Sequence, residues 1–78
     1  MTYHNLSKVI KNRRVKLRMS QRELAVRASV STGLIGIVER GHWTLGVDVL
    51  AKIAEALGTT AVRLLSSAAR MRDEQRMD

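Results

Sequence analysis

Cysteine and proline are both absent from this 78-residue chain. Without cysteine there is no disulfide framework and no thiolate metal site, which suits a reducing cytoplasm. Without proline nothing in the composition opposes an all-helical chain. No apolar run reaches the length of a membrane span, and the first residues lack the apolar block of a secretory signal. The expected location is the cytoplasm, with no membrane partner. Catalytic groups are equally scarce. The two histidines, His4 and His42, lie far apart, and neither a paired-carboxylate motif nor a glycine-rich phosphate loop occurs. Neither a triad nor a metal site assembles from such residues, so the expectation is a protein that is not an enzyme and uses no cofactor or metal.

What the chain does have is a capped helical pair. In residues 20–41, Ser20 can cap a first helix from Gln21 to about Ala28, and Ser31 a second from Thr32 to Arg40, with Gly41 placed to stop it. Only Ser29 and Val30 separate the two. So tight a turn makes the helices cross steeply, which is a helix-turn-helix: the second helix can enter a major groove while the first braces on the sugar-phosphate backbone.

The charge is segregated in the same way. Residues 1–41 hold nine basic and two acidic residues, a net +7, whereas residues 42–78 hold five of each. All the net charge therefore lies on the half that carries the helical pair, as a polyanion-binding face requires, and double-stranded DNA is the leading ligand.

Five helices are expected overall. The first runs from about Leu6 to Arg18, with Leu6, Ile10 and Leu17 along one side. Alone it could be a basic amphipathic membrane helix, but its apolar stripe is narrow and it leads directly into the capped pair, so a packed core helix is expected. The fourth runs from Val47 to Leu57, ended by Gly58, and the fifth starts after Thr59 or Thr60. Residues 1–69 form the expected DNA-binding domain, and 70–78 a polar tail that frays. A chain this short is expected to make one thin-cored domain, which is marginally stable or leans on a partner subunit. A second, ligand-sensing domain has no room.

Ser20-Gln21 with Glu23-Leu24-Ala25, then Val30-Ser31, Ile35 and Val38-Glu39-Arg40-Gly41, then Leu50 to Gly58, resemble the phage-repressor and Cro-like helix-turn-helix family over about residues 8–65. The resemblance implies a compact all-α, five-helix, lambda-repressor-like domain with the motif as its second and third helices. It also implies a dimeric regulator on a palindromic operator, similar to restriction-modification controllers or small phage and plasmid repressors. Some antitoxins share the fold, so an interaction module that binds a partner toxin and its own promoter stands as the alternative.

Residue roles follow from the same resemblance. Arg14 and Glu39 match a pair that locks the first helix against the third. Gln21 matches a phosphate contact at a helix N-terminus, with Arg22 beside it as a further DNA-contact candidate. The groove-facing positions are Ser31, Thr32, Gly33, Gly36 and Ile37. Among these only Ser31 and Thr32 can hydrogen-bond, and no groove-facing side chain before Arg40 can make the bidentate contacts that read guanine or adenine. Gly33 and Gly36 each cost a helix roughly 1 kcal/mol relative to alanine. Their use would be to let the backbone approach the bases, while Thr32 and Ile37 touch thymine methyls and DNA shape supplies further discrimination. The other reading is a weakly specific binder, or one whose partner supplies specificity.

Past the recognition helix, Arg40, His42 and Thr44 fall where family members touch the flanking backbone. Leu45-Gly46 replaces the usual Pro-Ser, so the fourth helix loses a side-chain cap. Trp43, the single tryptophan, packs at the core edge, at a subunit interface or along a sugar-phosphate strand. On the fifth helix, Ala61, Leu64, Leu65 and Ala68 are the expected homodimer contacts.

Overall fold

The computed structural model describes residues 3–41 and 46–76, with backbone alone at Tyr3 and residues 72–76. Among them are five helices and no strand: α1 Tyr3–Lys16, α2 Gln21–Ala28, α3 Thr32–Glu39, α4 Val47–Ala56 and α5 Ala61–Arg76.

The helix starts are set by short polar side chains. Ser20 Oγ accepts from the Glu23 amide at 3.0 Å, and the Glu23 carboxylate accepts from the Ser20 amide at 3.4 Å, forming a complete capping box. Ser31 Oγ accepts from the Leu34 amide at 3.1 Å, and Thr60 Oγ1 from the Arg63 amide at 3.2 Å. At Gly46 the expected loss of a side-chain cap on α4 is observed. Only the Asp48 carboxylate in its first turn faces the helix dipole there.

Three of the helix ends share one device. After α1, the Met19 amide reaches back to the Arg14 carbonyl and the Arg18 amide to that of Val15. After α2, Val30 reaches Ala25 and Ser29 reaches Val26; after α4, Thr59 reaches Ala54 and Gly58 reaches Glu55. Each is a Schellman closure, which needs one residue in the left-handed region. Gly58 takes it freely at φ 72°, but Arg18 and Ser29 adopt φ 59° and 57° against their Cβ atoms.

That turn at Arg18 corrects the expected α1. The helix begins at Tyr3 rather than Leu6 and stops at Lys16, so Leu17 falls on the turn and is 46% exposed, while Met19 enters the core in its place at 8%. At the other end of the chain α5 does not break at residues 69 and 70. It continues to Arg76, since Arg, Met, Glu and Gln are good helix formers and no glycine or proline interrupts them.

The core is one cluster: Leu6 and Ile10 from α1, Leu24, Ala25 and Ala28 from α2, Ile35 and Val38 from α3, Leu50, Ile53, Ala54 and Leu57 from α4, Leu64 and Ala68 from α5, with Met19. Within it α2 packs on α3 and α4, while α1 bridges α5 and α3. The bridge holds α3 at the periphery with one face buried and the other outward.

The packing also corrects the expected dimer contacts. Leu64 and Ala68 are 2% and 1% exposed, because they fill the protomer's own core between α1 and α4. Neither is available to a second subunit. Ala61 and Leu65 remain half-buried at the edge of the cluster.

Candidate nucleic-acid interface

The sequence places apolar residues on one side of α3 and small polar residues on the other, and the fold uses both. Ile35 and Val38 are fully buried, whereas Ser31, Thr32, Gly33, Ile37 and Arg40 are exposed. A helix of only eight residues cannot hold such a position by itself, so its start is capped locally and its end is tied to the rest of the molecule. The N-terminus is held by the Ser31 cap.

The C-terminal tie is a polar cluster on Glu39. Arg14 Nε donates to Glu39 Oε2 at 2.6 Å and Arg14 Nη2 to Oε1 at 3.0 Å, a two-pronged fork on one carboxylate. Arg14 Nη1 also donates to the Met19 carbonyl at 2.7 Å, holding the α1–α2 turn. Both side chains are nearly dry, 11% exposed for Arg14 and 3% for Glu39. Every charge in the cluster is therefore matched, as burial demands.

Gln21 joins this cluster. Its Nε2 donates to Glu39 Oε1 at 3.1 Å, so α2, α3 and α1 meet on a single carboxylate. The family resemblance implied a phosphate-facing Gln21; in the free protein one amide donor is instead committed to Glu39.

Gly36 also departs from expectation. It is buried rather than open to a groove: a Cβ built on it would lie 3.3 Å from Arg40 Nη1 and 4.0 Å from Gln21 Oε1. The missing side chain leaves a notch across which Arg40 folds back along α3. Gly33 differs, since nothing comes within 4 Å of its Cβ position. Of the two helical glycines, only Gly33 presents bare backbone to the outside.

Lys8, Lys11, Lys16, Arg18, Arg22 and Arg27, all from the basic half of the chain, are exposed. Sequence reasoning placed Arg13 among the general basic charge and missed its role. Arg13 Nε donates to the Leu57 carbonyl at 2.8 Å and Nη2 to that of Gly58 at 3.3 Å, which stitches α1 to the end of α4. No local signal reveals it, because the acceptors are backbone atoms more than forty residues away. His42, Trp43 and Thr44 lie outside the described residues. Among those described, no cluster of His, Cys, Asp or Glu is arranged to hold a metal ion, and no helix is long and apolar enough to cross a membrane.

The order of these elements is matched by a family model named helix-turn-helix, which covers residues 10–64. The chain belongs to the helix-turn-helix family. It is a DNA-binding transcription regulator of the Cro/C1 type. Among solved structures it is similar to the clp gene regulator ClgR from Corynebacterium glutamicum, with 27% identity over 99% of this chain and 82% of that one and a TM-score of 0.89. A hypothetical transcription factor, NHTF from Neisseria, is 31% identical over 83% of this chain and 75% of that one, with a TM-score of 0.78. The restriction-modification controller C.AhdI from Aeromonas hydrophila shares the fold at 24% identity, covering 80% of this chain and 94% of its own, with a TM-score of 0.76. No curated protein sequence matches the chain. The two helices of the helix-turn-helix are α2 and α3.

Proposed function

We propose that this regulator binds its operator sequence-specifically as a cytoplasmic homodimer, by seating α3 of each subunit in a major groove. The observation that carries the reading is the division of α3: Ile35 and Val38 anchor it inward, the Glu39 cluster fixes its end, and Ser31, Thr32, Gly33 and Ile37 stand outward together. Ser31 and Thr32 offer hydroxyls to base edges or phosphates, Ile37 offers an apolar contact to a thymine methyl, and Gly33 offers close approach. Arg22 and Arg40 supply phosphate contacts at either side, together with His42 and Thr44, while Gln21 contributes its remaining donor. ClgR, described as a gene regulator, and NHTF, described as a transcription factor, support the regulatory role.

For the dimer, Ala61 and Leu65 at the core's edge combine with Val47 and Val62, whose large apolar side chains are 79% and 71% exposed. A contact through α4 and α5 covers all four. The domain performs recognition rather than catalysis.

Selection from a random duplex pool tests this directly. Operator reading predicts enrichment of an approximate palindrome with half-sites about one helical turn, roughly 34 Å, apart. A bound pool that stays random in sequence overturns it.

A further inference from the structure

Away from α3, an open cleft of about 420 Å³ runs between α1 and α5, lined by Val9, Arg13, Thr59, Arg63, Ser67 and Arg70 among others. Among the residues whose side chains are described, three arginines line it and no carboxylate does, and Arg13 is already engaged with the Leu57 and Gly58 carbonyls. None of the three has an acidic partner among the residues whose side chains are described. Arg63 sits in the first turn of α5, where the helix dipole is positive and where an acidic residue is the favourable choice, yet that turn contains none. The larger cleft, about 550 Å³ between α2 and α4, differs in having Glu55 beside Arg27 and Lys52. Arg13 is offset by the carbonyls at the end of α4, so Arg63 is the charge set against a positive helix end, where an entering anion is favourable.

The arrangement suits one chemical class. Arg63, Ser67 and Arg70 are spaced i, i+4 and i+7, so they share one face of α5, with Arg13 reaching from α1 opposite. Arg70 Nη2 donates to Ser67 Oγ at 3.4 Å. Planar guanidinium forks with a hydroxyl among them match phosphate oxygens. The volume falls in the range of small-molecule sites. Ala61 and Leu65 lie on a different side of α5, so a dimer formed through them leaves the cleft open.

We propose that the cleft between α1 and α5 is a second anion site that binds a phosphate-bearing ligand independently of the recognition helix. Two sources supply this chemistry, a free small phosphate compound and a phosphate of the DNA backbone. The test uses the full chain with inorganic pyrophosphate as probe, against sodium chloride at matched ionic strength. Pyrophosphate should raise the melting midpoint and bind measurably by calorimetry. Arg63→Gln/Arg70→Gln should weaken that binding about tenfold or more, since charge-assisted hydrogen bonds are lost. Lys8→Gln/Lys11→Gln, which removes the same charge elsewhere, should leave it intact. If duplex DNA displaces pyrophosphate, the site serves the DNA backbone; if both bind together, it serves a free ligand. Pyrophosphate acting no better than chloride, or equal losses in the two double variants, would overturn the proposal.

Discussion

At the scale of single residues, Glu39 concentrates the most consequence. Its carboxylate accepts from Arg14 twice and from Gln21 once, all in a nearly dry setting. Glu39→Ala leaves the Arg14 charge with a single remaining partner, the Met19 carbonyl. Loss of one member of a buried pair costs about 3 kcal/mol or more. In a domain of this size that corresponds to a drop in melting midpoint of well over about 10 °C. Thermal unfolding of the variant without DNA checks it, and an unchanged midpoint would show a solvated pair. Arg18 makes the opposite case. Held at φ 59°, it bears a steric cost that glycine does not. Arg18→Gly is expected to be neutral or to stabilise by up to about 1 kcal/mol in urea titration, despite the added freedom of the unfolded chain.

At the scale of elements, the capped helix starts were legible, whereas the start of α1 and some ends were not. Ser20, Ser31 and Thr60 are short oxygen-bearing side chains followed by helical pattern, and the structure places a cap at each. The end of α1 was hidden because the left-handed position is held by arginine, which carries none of glycine's signal. In α3 the two glycines look alike in sequence, but packing separates them: Gly36 is roofed by Arg40 and Gln21, and Gly33 is open. Gly33→Ala should therefore raise stability by about 0.5–1 kcal/mol, because it adds helix propensity without a clash. If the Gly33 backbone approaches the bases, the same change should lower operator affinity. Urea denaturation and DNA titration on one variant read both effects. Stability gained with operator binding unchanged would remove Gly33 from the reading surface.

Over the whole molecule, the charge division seen in the sequence corresponds to a division of labour, with the basic half carrying α1 to α3 and the neutral half completing the core. Core membership on α5 was the least legible part. Ala61, Leu64, Leu65 and Ala68 form one apolar stripe, and only the position of α1 and α4 shows that Leu64 and Ala68 are consumed internally. The remaining outward apolar groups make Val62→Glu informative. Val62 is 71% exposed, so the protomer should fold normally while sedimentation shows a weakened dimer. A dimer covering about six to ten phosphates should also lose roughly a thousandfold or more in affinity between about 50 and 200 mM salt.

The division of α3 into an anchored and a reading face is tested most directly by titrating Thr32→Ala, Ile37→Ala and Arg40→Ala against operator and scrambled duplexes in parallel. Thr32→Ala and Ile37→Ala should each weaken operator binding by about 1–3 kcal/mol and leave scrambled DNA unaffected, because base-edge contacts carry the sequence information. Arg40→Ala should weaken both nearly alike, with the salt slope reduced by about one. Equal losses on both duplexes for the Thr32 and Ile37 variants, with their folds intact, would contradict a sequence-reading α3.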